Sequence, residues 1–78
     1  MGYILFSERI GKFYVGHTGD IDKRLLDHNN GKASFTSTGI PWKLIYYINC
    51  EDKAAAVRLE SSVKKRGIKR YLQDRGIL

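Results

Sequence analysis

Cysteine occurs once in this chain, at Cys50, which excludes both a disulfide scaffold and a cysteine-based zinc site within one molecule. Long apolar runs are also missing. The longest, Leu44-Ile45-Tyr46-Tyr47-Ile48, is far too short to span a bilayer, and no signal peptide is recognisable. No low-complexity stretch suggests disorder, and no internal repeat suggests a solenoid. These absences predict a soluble protein without a membrane partner, in a reducing compartment, the cytoplasm. The 78 residues leave room for one domain, residues 1–78, with one modest core and neither a second domain nor a deep cofactor cavity. Any substrate is expected on the surface or in a shallow groove.

Acidic residues are scarce. Eight Asp and Glu face fourteen Lys and Arg, for a formal charge of +6. The excess is concentrated near the C-terminal end, where Lys64, Lys65, Arg66, Lys69, Arg70 and Arg75 have Asp74 as the only acid among them. A basic patch on a small domain commonly marks a nucleic-acid partner, because binding releases counterions from the phosphates. Charge alone does not separate that reading from a solvated basic helix face.

The order of elements is legible. Tyr3-Ile4-Leu5-Phe6 is β-prone, residues 7–12 carry charges and Gly11, and Phe13-Tyr14-Val15-Gly16 is β-prone again, which predicts a hairpin over the first sixteen residues. Opening almost at the first residue predicts either a short first strand or a trimmed natural start. Asp20 is a helix N-cap candidate, with Ile21, Leu25 and Leu26 as an apolar stripe and Asn29-Asn30-Gly31 as a stop. Residues 32–41, rich in Ser, Thr and Gly and ending at Pro41, read as an exposed loop. Residues 42–49 read as a strand, whose unbroken apolar centre predicts a central position covered on both faces. Glu51 or Asp52 caps a second helix over residues 53–66, with Ala55, Ala56, Leu59 and Val63 inward and Gly67 just past its end. A short helix over residues 68–74 follows. The expected fold is α+β: a three-stranded antiparallel sheet flanked by helices, in the order β-β-α-β-α-α.

Against that frame of elements, a few polar residues stand out. Arg24 and His28 are four apart on one helix and project from the same face, away from Ile21 and Leu25 and toward a rim. Taken alone, such a pair is usually a surface feature. Tyr46 and Tyr47 read as half-buried core, but the hairpin brings Tyr3 and Tyr14 together near the charged helix face. A phenol has an ordinary pKa of about 10, so its use as a base requires a neighbouring cation or metal, and Arg24 can supply that bias. Glu60 either pairs with a neighbouring lysine, the commoner outcome for such a residue, or holds a divalent cation.

Order and spacing add what the single residues lack. Gly2-Tyr3-Ile4 and Tyr14-Val15-Gly16 are followed by Arg24 and His28 within residues 18–32, by Trp42-Lys43-Leu44-Ile45-Tyr46-Tyr47, and by Ala55-Ala56-Val57-Arg58-Leu59-Glu60 with Lys64 beyond it. Over essentially its whole length the chain resembles the GIY-YIG endonuclease superfamily, and within it the small stand-alone proteins related to the nuclease domain of the excinuclease C subunit. The resemblance implies a metal-dependent phosphodiesterase. Tyr3 then deprotonates or orients the attacking water, and Tyr14 hydrogen-bonds the scissile phosphate or the water. Arg24 stabilises the charge of the pentavalent transition state, and His28 hydrogen-bonds Tyr3 or passes its proton on. Glu60 holds one weakly bound Mg2+ or Mn2+. The chain departs from the family in three places. No isoleucine separates Gly2 from the tyrosine, His17 stands where some members have a lysine, and Gln73 and Arg75 are what the chain offers where many members carry a late asparagine.

The resulting expectation is an endonuclease acting on DNA with little sequence specificity, in repair or recombination. A domain this small has little surface for reading bases, so specificity is expected from the substrate's structure or from a protein partner. His17, Lys32, Lys64, Lys65, Lys69 and Arg70 are the expected nucleic-acid contacts. A catalytically weak nucleic-acid-binding module on the same scaffold is the alternative. An adaptor that uses the strand at residues 42–47 as an edge is a third.

Overall fold

Successive residues of a β-strand face opposite sides of the sheet, and here both sides are covered. Strand β1 (Gly2–Ser7) turns Ile4 to one face and Tyr3 and Leu5 to the other, and all three side chains are buried. The computed structural model describes residues 1–32 and 34–78. A tight turn returns the chain as β2 (Lys12–His17), antiparallel to β1, with Tyr3 opposite Gly16 and Leu5 opposite Tyr14. Strand β3 (Lys43–Ile48) pairs antiparallel with the other edge of β1, so the sheet order is β2-β1-β3.

Helix α1 (Ile21–Asn29) is capped by Asp20, whose carboxylate accepts the Lys23 N–H at 3.1 Å. Helix α2 (Lys53–Arg66) is capped by Asp52, which accepts the Ala55 N–H at 2.8 Å, and it ends at Gly67 before α3 (Ile68–Asp74). The order β-β-α-β-α-α and the α+β class are as the sequence predicts. Ile4 and Val15 pack against Val63 of α2 and Tyr71 and Leu72 of α3. On the other face Tyr3, Leu5 and Trp42 pack with Ile21 and Leu25 of α1. Full burial of Ile4, Leu5, Val63 and Leu72 contributes roughly 1.5–3 kcal/mol each. No helix of the described residues is long and apolar enough to cross a membrane.

Three expectations are corrected. The central strand is β1, and the strand expected at the centre, β3, lies at an edge. Both strands read as unbroken apolar runs, so hydrophobicity did not rank them. The hairpin leaves an outer edge on both β1 and β2, and β3 pairs with that of β1. Second, Tyr47 is not core: it is 56% exposed, whereas Tyr46 packs on the core. The register slips between Ile4, opposite Tyr46, and Leu5, opposite Leu44, so Ile45 is an extra residue. Such a bulge turns Ile45 and Tyr46 to the same face and breaks the alternation.

Third, the exposed loop expected over residues 32–41 contains a 3-10 helix, Ser34–Gly39, with Thr36 buried; Ala33, also in that loop, lies outside the described residues. Buried partners account for this. The Trp42 indole donates to the Thr36 carbonyl at 2.7 Å, and the Ser7 hydroxyl donates to the Gly39 carbonyl at 2.6 Å. Polar groups paired in this way can be buried at little cost.

Candidate active site

Two glycines make room for the cleft. A Cβ on Gly16 would stand 2.8 Å from the Tyr3 hydroxyl oxygen, so only glycine lets the phenol lie across β2. A Cβ on Gly2 would meet the end of the Leu59 side chain at 2.6 Å, so α2 lies close against β1 here. Glu60, the next residue of α2, stands at the end of the hairpin. Tyr3, Tyr14, Gly16, His17, Thr18, Arg24 and Glu60 line one shallow, open cleft there. The Tyr3 and Tyr14 rings are 6.3 Å apart between centroids.

His28 stands elsewhere than on the rim. It is 0% exposed, behind Tyr3, with its Nε2 3.0 Å from the Tyr3 hydroxyl and its Nδ1 2.7 Å from the Thr36 hydroxyl. The faces of a nine-residue helix are set by what covers them, and here the 3-10 helix covers this one. Arg24 keeps its place at the cleft, where its Nε donates to the Tyr3 oxygen at 3.4 Å. The bias expected from Arg24 is real but is outweighed. Burial pushes the Tyr3 phenol above its ordinary value, and the hydrogen bond from Arg24 only partly opposes this. Tyr3 is therefore a neutral phenol at neutral pH. Burial, then the Arg24 charge, push His28 below its ordinary value, so it is a neutral imidazole.

At the other end of the cleft Glu60 is doubly held. His17 Nδ1 is 3.0 Å from its Oε1, and Lys64 Nζ donates to its Oε2 at 3.0 Å. Burial raises its pKa, but these two partners outweigh that and keep the carboxyl below its ordinary range, ionised. Glu60 is the one carboxylate lining this cleft, and the described residues contain no cluster of three or more His, Cys, Asp or Glu suited to a metal. The donor set fits a divalent cation only as a single-carboxylate site completed by water and phosphate oxygens.

The basic residues divide. Lys64 touches Glu60, and with Lys65, Ser61 and Ser62 it lines an adjoining open groove. Lys69 and Arg70 are exposed on α3, and Lys32 pairs with Asp27 at 3.6 Å; none of the three lines the cleft. Arg66 is engaged by Asp74, and Arg75 lies 4.1 Å above the Tyr71 ring. Gln73 and Arg75, at the position of the late asparagine, do not line the cleft. Sequence reasoning missed Thr36, whose hydroxyl meets His28 behind the cleft, and no local pattern signals that Thr36 is buried.

Residues 2–71 match the family described as GIY-YIG catalytic domain. The chain belongs to the GIY-YIG family. A UPF0213 protein of Streptococcus pyogenes is 41% identical over 66 residues, which are 82% of this chain and 72% of that relative. A UPF0213 protein of Streptococcus pneumoniae is 39% identical over 59 residues, 74% of this chain and 60% of that relative. No solved structure matches the chain. The GIY-YIG assignment makes this a nuclease-family domain and accounts for Gly2-Tyr3-Ile4 and Tyr14-Val15-Gly16 as neighbours across the hairpin.

Proposed function

We propose that the protein is a metal-dependent endonuclease that hydrolyses DNA phosphodiester bonds with little intrinsic sequence specificity, in the cytoplasm, in repair or recombination. The observation that carries this reading is the convergence of Tyr3, Tyr14, Arg24 and Glu60 on one cleft with His28 in contact behind Tyr3. An open cleft suits a polymer backbone, and its polar groups suit a phosphate. Arg24 binds phosphate oxygens and stabilises the charge they gain in the transition state. Tyr14 hydrogen-bonds the phosphate or the water. Tyr3 orients the water and takes its proton as its own passes to His28. Glu60 would hold Mg2+ or Mn2+, which when bound offsets phosphate charge. Such a site binds metal weakly until DNA completes it.

His17, Lys32, Lys64, Lys65, Lys69 and Arg70 supply backbone contacts, with selectivity left to the substrate's structure or to a protein partner. The test is nicking of plasmid, single-stranded, branched and RNA substrates with Mg2+ or Mn2+. Glu60→Ala and Tyr3→Phe abolish it, and Arg24→Ala lowers it by orders of magnitude. Activity that survives Glu60→Ala overturns the assignment. The second reading, a binding module with weak catalysis, is favoured by one observation: both Glu60 oxygens are already engaged, by His17 and Lys64. Salt-sensitive DNA binding without nicking under any metal would select it.

A further inference from the structure

A neutral imidazole carries one N–H and one lone pair, so a buried histidine between two hydroxyls can be wired in two directions. His28 is such a residue, between the Tyr3 phenol and the Thr36 hydroxyl. Only the form protonated on Nδ1 presents a lone pair to Tyr3. Arg24 bears on the choice, because a guanidinium can only donate, and its Nε–H is directed at the phenol oxygen. With that oxygen accepting from Arg24, the phenol proton is left to donate to Nε2. The opposite tautomer would aim N–H groups of both Arg24 and His28 at one oxygen and turn the phenol proton elsewhere.

Thr36 is held where it can enforce the choice. Its carbonyl accepts the Trp42 indole N–H at 2.7 Å. The Trp42 backbone is clamped by the Asn29 amide, whose Oδ1 accepts the Trp42 N–H at 2.6 Å while its Nδ2 donates to the Trp42 carbonyl at 3.1 Å. Asn29 directly follows His28. The hydrogen bonds thus close a ring from His28 through Asn29, Trp42 and Thr36 back to His28, which fixes the hydroxyl relative to the imidazole. Thr36 and His28 are each 0% exposed, so water does not compete inside that ring.

We infer that Thr36 is a positioning residue: its hydroxyl accepts the Nδ1–H of His28 and so keeps Nε2 as the acceptor for the Tyr3 proton. Thr36 reaches neither the cleft nor a phosphate, and it acts only through His28. The inference rests on the proposed role of Tyr3, but its first test does not. Nitrogen NMR of the His28 ring in the metal-free, DNA-free protein reads the tautomer directly. Nδ1 is expected to be protonated and Nε2 bare, and Nε2 protonated in the wild type overturns the inference.

Thr36→Val, close in shape but without the acceptor, is expected to move the ring toward the Nε2-protonated form. In the nicking assay it should lower kcat by about 10–100-fold, the usual effect of losing such an orienting partner, with KM unchanged. Thr36→Ser should restore both tautomer and kcat. A Thr36→Val ring still protonated on Nδ1, with kcat intact, overturns the inference, as does Thr36→Ser behaving like Thr36→Val. Should Thr36→Val not fold, the wild-type spectrum and Thr36→Ser still decide. A wild type inert on every substrate defeats the proposed function and leaves the tautomer result standing.

Discussion

The two ends of the cleft are built differently. At the α1 end, Tyr3, His28 and Thr36 are buried and joined in a hydrogen-bonded chain backed by Trp42 and Asn29. At the α2 end, Glu60 is partly exposed and held by the His17 imidazole and the Lys64 ammonium, with Lys64 59% exposed. Fixed geometry suits the handling of a proton, where misplacement by an ångström is costly. A rearrangeable carboxylate suits an ion that arrives with the substrate. The buried end is therefore expected to contribute to stability as well as chemistry, and the exposed end to chemistry alone.

Paired variants separate the two ends most sharply. Tyr3→Phe and Glu60→Ala should each abolish nicking, but only Tyr3→Phe should also destabilise the fold, by about 1–2 kcal/mol, because it strips a buried hydrogen bond from His28. Equal urea midpoints for the two variants would erase the distinction. His28→Ala goes further. It opens a cavity and removes one hydrogen-bond partner from each of two buried hydroxyls, at a cost of about 2–4 kcal/mol, whereas Lys64→Ala should leave the urea midpoint unchanged.

Gly16→Ala tests the cleft from its floor. Displacing the Tyr3 phenol should cost about 100-fold in nicking while circular dichroism stays that of the wild type. A smaller effect is expected from pH. His28 is held below the ordinary value of about 6.5, so in acid the unfolded chain takes up this proton first. Stability is then complete above about pH 6.5 and is lost as pH falls through the depressed folded value. Urea midpoints of wild type and His28→Gln, compared at neutral and acid pH, should converge in acid; a constant gap contradicts this. The smallest effects belong to the exposed lysines. Lys65→Ala or Lys69→Ala should reduce the salt dependence of DNA binding by a slope of about 1 each without changing nicking at saturation.

Local chemistry made much of this fold legible in the sequence. The limits of α2 were readable because Asp52 caps it, an apolar stripe runs through it, and Gly67 follows it. The hairpin and α1 carried equally local signals. The place of β3 did not. An apolar run states that a strand is covered, not which neighbour covers it, and the bulge at Ile45 hid which of its tyrosines faced in. His28 shows the same limit within the site. Its spacing from Arg24 set a shared helix face, but burial of that face depended on a segment whose composition reads as solvent-exposed.

The sequence by itself determined the family, the order of elements and which residues are candidates for the site. Motif spacing, caps and periodicity are properties of neighbours along the chain. Only the tertiary structure decided that Tyr3 stays a neutral phenol beside Arg24, that His28 is buried against it, and that Thr36 stands behind His28. Protonation depends on desolvation and on partners distant in sequence, and both are set only by the tertiary packing around Tyr3 and His28.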